Sequence, residues 1–170
     1  MNQLLHRFLI TASVPQRIAL FRLMQSRISW SPEQIRAFQE QHLREIVGYC
    51  WRYIPFYRDH WRGAIDDPRA IQTIDDLQML PILTKDHVRE HLSTLVTTDP
   101  RVKSTEARTG GSTGRPIIFR MTYRDEQLAW AHMYMGWSWA GYRIGDPFLI
   151  VGGESVGIGL GDKRTLADKV

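Results

Sequence analysis

Downstream of Ser31 the apolar residues Ile35, Phe38, Leu43, Ile46, Val47 and Cys50 recur at helical spacing, which predicts a helix with one buried stripe. Its start is marked by Ser31 and Gln34 at capping-box spacing, with Pro32 in the first turn. Its end is set before Pro55, because a residue ahead of proline is pushed out of helical geometry. Upstream, the first thirty or so residues read as two short basic amphipathic helices forming a packing arm. Between them stand Ser13, which can cap, and Pro15, which suits a first turn.

Past the main helix the sequence is dense in rings: Trp51, Tyr53, Phe56, Tyr57 and Trp61. Such rings can stack nucleic-acid bases. Their large burial payload favours packing the helix against the rest of the domain. From Asp66 to Pro100 the pattern predicts short helices, with Thr73 and Thr84 as caps and Pro68, Pro81 and Pro100 as breakers. Leu80-Pro81-Ile82-Leu83 reads as a buried connector. His87 and His91 have the spacing of two ligands on one helix face. No Glu stands between them in the metalloprotease order and no third ligand is evident, so they are assigned to the surface and no metal site is predicted.

From Thr105 the period shortens to two. Thr105–Thr109 and Pro116–Thr122, where Ile118 and Arg120 alternate, predict a hairpin around a glycine-rich turn. A helix over about Asp125 to Ala140 follows, carrying Leu128, Met133, Met135, Trp137 and Trp139. After a turn at Gly141–Asp146 comes a buried-type strand, Pro147–Val151, and then a glycine-rich stretch containing Gly152, Gly153, Gly157, Gly159 and Gly161. The expected class is α/β: a helical arm over 1–30, a mainly helical segment over 31–104, and the start of an α/β core over 105–170. A doubly wound sheet needs more strands than these, so the chain is expected to stop partway through a domain.

Composition narrows the partners. With 170 residues the chain can bury roughly 70% of its unfolded surface, enough for one core. A hydrophobic fraction of 43% and a charged fraction of 24% exclude disordered and fibrous classes. The net charge of +4 is dispersed, since Arg36, Arg44, Arg52, Arg58 and Arg62 alternate with acids, and nucleic acid is not an expected partner. One cysteine, Cys50, permits no intrachain disulfide and fits a reducing, cytoplasmic setting. The apolar stretches near the start fall short of the ~20 residues that span a bilayer, and no signal-peptide pattern is present.

The chemistry concentrates in Thr109-Gly110-Gly111-Ser112-Thr113-Gly114-Arg115-Pro116. Glycines let backbone N–H groups turn inward as an anion-binding nest. The hydroxyls of Thr109, Ser112 and Thr113 can donate to phosphate oxygens, and Arg115 can add a charge-assisted bond. The segment is neither a Walker A loop, where Lys and then Ser or Thr follow the last glycine, nor a dinucleotide fingerprint.

This segment resembles the phosphate-binding signature of adenylate-forming enzymes, commonly Thr-Ser-Gly-Thr-Thr-Gly-Lys-Pro. Thr109, Gly111, Thr113, Gly114 and Pro116 match directly, whereas Gly110, Ser112 and Arg115 are replacements. Tyr53-Ile54-Pro55-Phe56-Tyr57, Leu80-Pro81-Ile82-Leu83-Thr84-Lys85, Gly136-Trp137 and Gly145-Asp146 extend the likeness to phenylacetate-CoA ligases and their capsular polysaccharide biosynthesis relatives. The resemblance implies ATP and Mg²⁺, a small-molecule carboxylic acid as substrate, and coenzyme A as acceptor. It places Thr109, Gly110, Gly111, Ser112, Thr113, Gly114 and Arg115 on the nucleotide and assigns no catalytic residue. The family's later segments have no counterpart here, so the chain is expected to be an incomplete, inactive ligase fragment that dimerises or associates with a missing C-terminal half. The rival reading is a non-catalytic remnant or interaction module.

Overall fold

The computed structural model describes residues 12–109 and 116–148. The first of the two arm helices falls on residues 1–11, outside them, as do residues 149–151 of the last predicted strand and the glycine-rich stretch beyond. In order come α1 (Pro15–Gln25), α2 (Pro32–Tyr53), α3 (Pro55–His60), two 3₁₀ turns (Pro68–Ala70 and Ile74–Met79), α4 (Lys85–Glu90), α5 (Leu92–Leu95), β1 (Thr105–Arg108), β2 (Ile118–Met121) and α6 (Tyr123–Trp139). The two strands pair antiparallel, so the chain is mixed helical and β, compatible with an α/β class.

Local chemistry sets most starting points. At α2, Ser31 Oγ accepts the Gln34 N–H while the Gln34 side chain accepts the Ser31 N–H at 2.9 Å, the reciprocal box read from the sequence. Thr84 makes the same arrangement with His87 at α4. Before the second 3₁₀ turn, Asp76 takes both the N–H and the hydroxyl of Thr73. A further box, between Thr122 and Asp125, starts α6 two residues ahead of the Asp125 expected from periodicity. At α1 the capping position belongs to Val14 and not Ser13, and Pro15 opens the helix without a side-chain cap.

Two buried clusters carry the packing. Val47, Cys50, Trp61, Ile65 and Ile71 join α2 to the turns after α3, and Ile71 is wholly buried. The aromatic segment serves this cluster: Trp51 stacks on Trp61 at 6.4 Å and Tyr57 meets Trp61 at 4.7 Å. The second cluster, Phe21, Trp130, Ala131 and Tyr134, forms where α1 lies on α6. There Arg17 donates to the buried Gln127 carboxamide at 3.1 Å, with its guanidinium 4.8 Å from the Trp130 ring centre.

Three expectations need correction. The stripe on α2 divides: Val47 and Cys50 are buried, whereas Ile35 is 42% and Ile46 54% exposed. Leu80–Leu83 is no buried connector, for Ile82 is 82% exposed and only Leu80 packs on the core. On α6 the buried residues are Gln127, Trp130, Ala131 and Tyr134; of the expected apolar positions Met133, Met135 and Trp137 pack partly buried against them, whereas Trp139 is 75% exposed. Each time, periodicity found apolar positions but not the neighbour that covers them.

Replacing Ile71 by Ala removes buried volume at a fully enclosed site and is expected to cost about 2–5 kcal/mol. Ser31→Ala, which removes the α2 cap and the hydroxyl's bond to Glu33, is expected to cost about 1 kcal/mol. Urea unfolding with unchanged slopes checks both.

Candidate functional site

The candidate loop is carried by the hairpin. β1 and β2 pair Thr105 with Met121, Glu106 with Arg120, Ala107 with Phe119 and Arg108 with Ile118. One step further, the Thr109 N–H donates to the Ile117 carbonyl at 3.0 Å, and the Ile117 N–H donates to the Thr109 hydroxyl at 2.9 Å. Thr109 therefore closes the ladder with its side chain. Its hydroxyl oxygen accepts from the backbone, which points its own proton away from that bond. Gly110, Gly111, Ser112, Thr113, Gly114 and Arg115 lie outside the described residues, bracketed by this closing pair.

Pairing register sorts the polar groups. Glu106, Arg108, Ile118 and Arg120 share one face, since directly opposed residues and those two apart point the same way. On it Arg108 donates to Glu106 at 3.0 Å, and Arg120 reaches the Ser104 carbonyl at 2.6 Å and its hydroxyl at 3.1 Å. Both guanidinium groups are thus tied along the ribbon below the loop.

The ribbon is held at both ends. Before β1, Tyr49 bonds the Thr97 hydroxyl at 2.6 Å, and the Tyr53 carbonyl accepts the Thr98 N–H at 2.7 Å, fixing residues 97–98 to the end of α2. Asp99 follows. It is 5% exposed, and its carboxylate accepts from the Arg101 backbone at 3.1 Å and from that guanidinium at 2.9 and 2.8 Å. The Arg101 guanidinium, followed by the backbone bond, holds the Asp99 carboxyl at about 2 despite the opposing cost of burial. Asp67-Pro68-Arg69 builds the same turn on the exposed surface, and its Asp67 is likewise held at about 2 by Arg69. Neither aspartate stands out by periodicity or motif spacing; the recurring Asp-Pro-Arg was the signal available. After β2, Thr122 passes directly into the α6 cap.

Other reactive groups have structural duties. Burial pushes the Cys50 thiol up to about 11, so it stays protonated and inert near neutral pH. His87 Nδ1 faces the Thr84 N–H at 3.3 Å, while His91 sits between α4 and α5 with its ring 5.2 Å from Phe56. Their expected common helix face is therefore broken. Among the described residues no group of three or more His, Cys, Asp or Glu is placed to hold a metal ion. No helix among them is long and apolar enough to cross a membrane.

No protein-family model matches the chain. Over 94 residues it is 31% identical to a phenylacetate-coenzyme A ligase of Thermus thermophilus, a stretch amounting to 55% of this chain and 21% of that ligase. The matched stretch thus spans about a fifth of that relative's length, and the similarity supports a relationship to acid-coenzyme A ligases at the family level.

A carboxylate held near 2 when folded and near ~3.9 when unfolded stabilises the fold above the unfolded value. That contribution is lost as pH falls from about 4 towards about 2. Asp99→Asn is expected to lower the melting temperature at pH 7 and to flatten its decline across this acid window, read by circular dichroism melts at stepped pH.

Proposed function

We propose that the chain supplies the phosphate clasp of an adenylate-forming acid ligase. In that reaction a carboxylate oxygen attacks the α-phosphorus of ATP and pyrophosphate leaves. The thiol sulfur of coenzyme A then bonds the acyl carbon, and AMP leaves with the electron pair of the broken bond. The similarity to a ligase, joined to a hairpin closed at Thr109 and Ile117 beneath the glycine-rich segment, carries this reading.

In this reading the backbone N–H groups of Gly110, Gly111 and Gly114 form the nest. Ser112 and Thr113 donate hydroxyl protons to the β- and γ-phosphates. Arg115 adds charge-assisted bonds through a planar fork where the family commonly has a point-like ammonium. Thr109 ties the two strand ends together at the base of the loop. Mg²⁺ held on the ATP phosphates would supply neutralisation of charge on the departing pyrophosphate. The substrate is a small carboxylic acid. A cytoplasmic setting belongs to the same proposal. The second reading is a non-catalytic interaction module, and a link to capsular polysaccharide biosynthesis belongs to it.

Titration calorimetry with ATP-Mg²⁺ on the folded chain separates the two. The clasp predicts binding that falls about tenfold or more in Thr113→Ala and Arg115→Ala, the size expected when a bond to a charged group is lost. A folded chain that gives no nucleotide heat, or variants that bind equally well, would overturn it.

A further inference from the structure

Three imidazoles meet around one buried ring where α3, α4 and α5 join. The Phe56 ring is buried. His60 stacks on it at 4.8 Å, His91 lies 5.2 Å and His87 6.3 Å from it, and the His60 and His87 rings meet edge to face at 5.0 Å. Two nitrogens in this junction suit only uncharged rings. His87 Nδ1 accepts the Thr84 N–H at 3.3 Å, the return half of the box that starts α4, and an accepting ring nitrogen carries no proton. His60 Nε2 is buried with no hydrogen-bond partner. An imidazolium donates from both nitrogens. Charging His87 therefore sets a donor against the Thr84 N–H, and charging His60 buries an N–H that has no acceptor. The face of Phe56 attracts a cation, yet the uncompensated buried donor is the larger effect.

Among the described residues no carboxylate pairs with these rings. Asp59 is taken by Arg62 and Asp86 by Arg89. Arg58, Lys85 and Glu90 are exposed, and Arg52 lies over the Tyr53 ring at 5.1 Å. The hydroxyls of Tyr49 and Tyr53 bond Thr97 and Arg101, and Tyr57 lies against Trp61. Helix α5 carries no ionisable side chain.

We propose that this junction is an acid-operated latch: with neutral imidazoles it holds α4 and α5 on α3, and protonation of His60 and His87 releases them. Imidazole is the side chain whose charge ordinarily changes between about pH 5 and about pH 8. The stability of the closed latch is therefore present at the upper end of that range and is lost as pH falls through it. Release reaches beyond the junction, because α5 packs on α3 and runs into Thr97 and Thr98, which tie the chain to Tyr49 and Tyr53 ahead of β1. The hairpin thus loses one of its moorings in acid, whether or not its loop binds nucleotide.

Hydrogen exchange of the full chain, read by mass spectrometry at about pH 7.5 and about pH 5.5 and corrected for the intrinsic pH dependence of exchange, tests the latch. Protection over residues 84–98 is expected to fall about tenfold or more at the lower pH, the scale of one net hydrogen bond, while α1 and α6 keep theirs. His60→Phe with His87→Gln keeps the stacked ring and an acceptor for the Thr84 N–H but takes up no proton, so its protection should be equal at the two pH values. His87→Gln alone, the milder change, should remove part of the fall. His132→Gln, on an exposed histidine of α6, should leave the fall as in the parent chain. Equal protection over 84–98 at both pH values in the parent chain, a fall of the same size in α1 and α6, or an undiminished fall in His87→Gln would overturn the proposal. The first two readings need no variant to fold.

Discussion

The closure of the hairpin at Thr109 and Ile117 is the constraint on which the candidate site depends. A four-residue strand pair holds little stability of its own, so the geometry of the loop base is inherited from what grips the ribbon. On one side the grip is the end of α2, through Tyr49, Tyr53, Thr97 and Thr98. On the other it is α6, capped by Thr122 directly after β2 and pressed against α1 across the Arg17, Gln127 and Trp130 contact. Elements of two separately built cores thus flank one ribbon.

Charge shows the same dependence on setting. The Asp-Pro-Arg turn occurs once on the surface, at Asp67, and once with its carboxylate buried, at Asp99. The proline fixes a turn, the carboxylate takes the backbone N–H two residues on, and the guanidinium closes over both oxygens. At the exposed site solvent screens the pair and it defines little beyond the local chain path. At the buried site the same chemistry fixes the segment that delivers β1, because an unpaired carboxylate there would be costly.

Phosphate binding by such a loop would ask little of side-chain reactivity. Backbone amides, two hydroxyls and one cation suffice to hold a polyphosphate, provided the loop is presented in one geometry. The described residues are consistent with that division of labour: Cys50 is kept neutral in the core, the histidines line a helix junction, and Arg108 and Arg120 are tied to the ribbon.

Caps, breakers and the hairpin were legible in the chain itself. Ser31 with Gln34, the Thr84 cap, and the strands flanking the glycine-rich segment are set by interactions between residues a few positions apart, which sequence spacing records directly. Coverage was not legible. Whether Ile46 or Val47 is buried, whether Ile82 meets a neighbour, and which rings of α6 face inward depend on elements tens of residues away. The Arg17–Gln127 bond and the burial of Asp99 exist only once the chain is folded, because hydrophobic periodicity marks a face without naming the surface that packs on it.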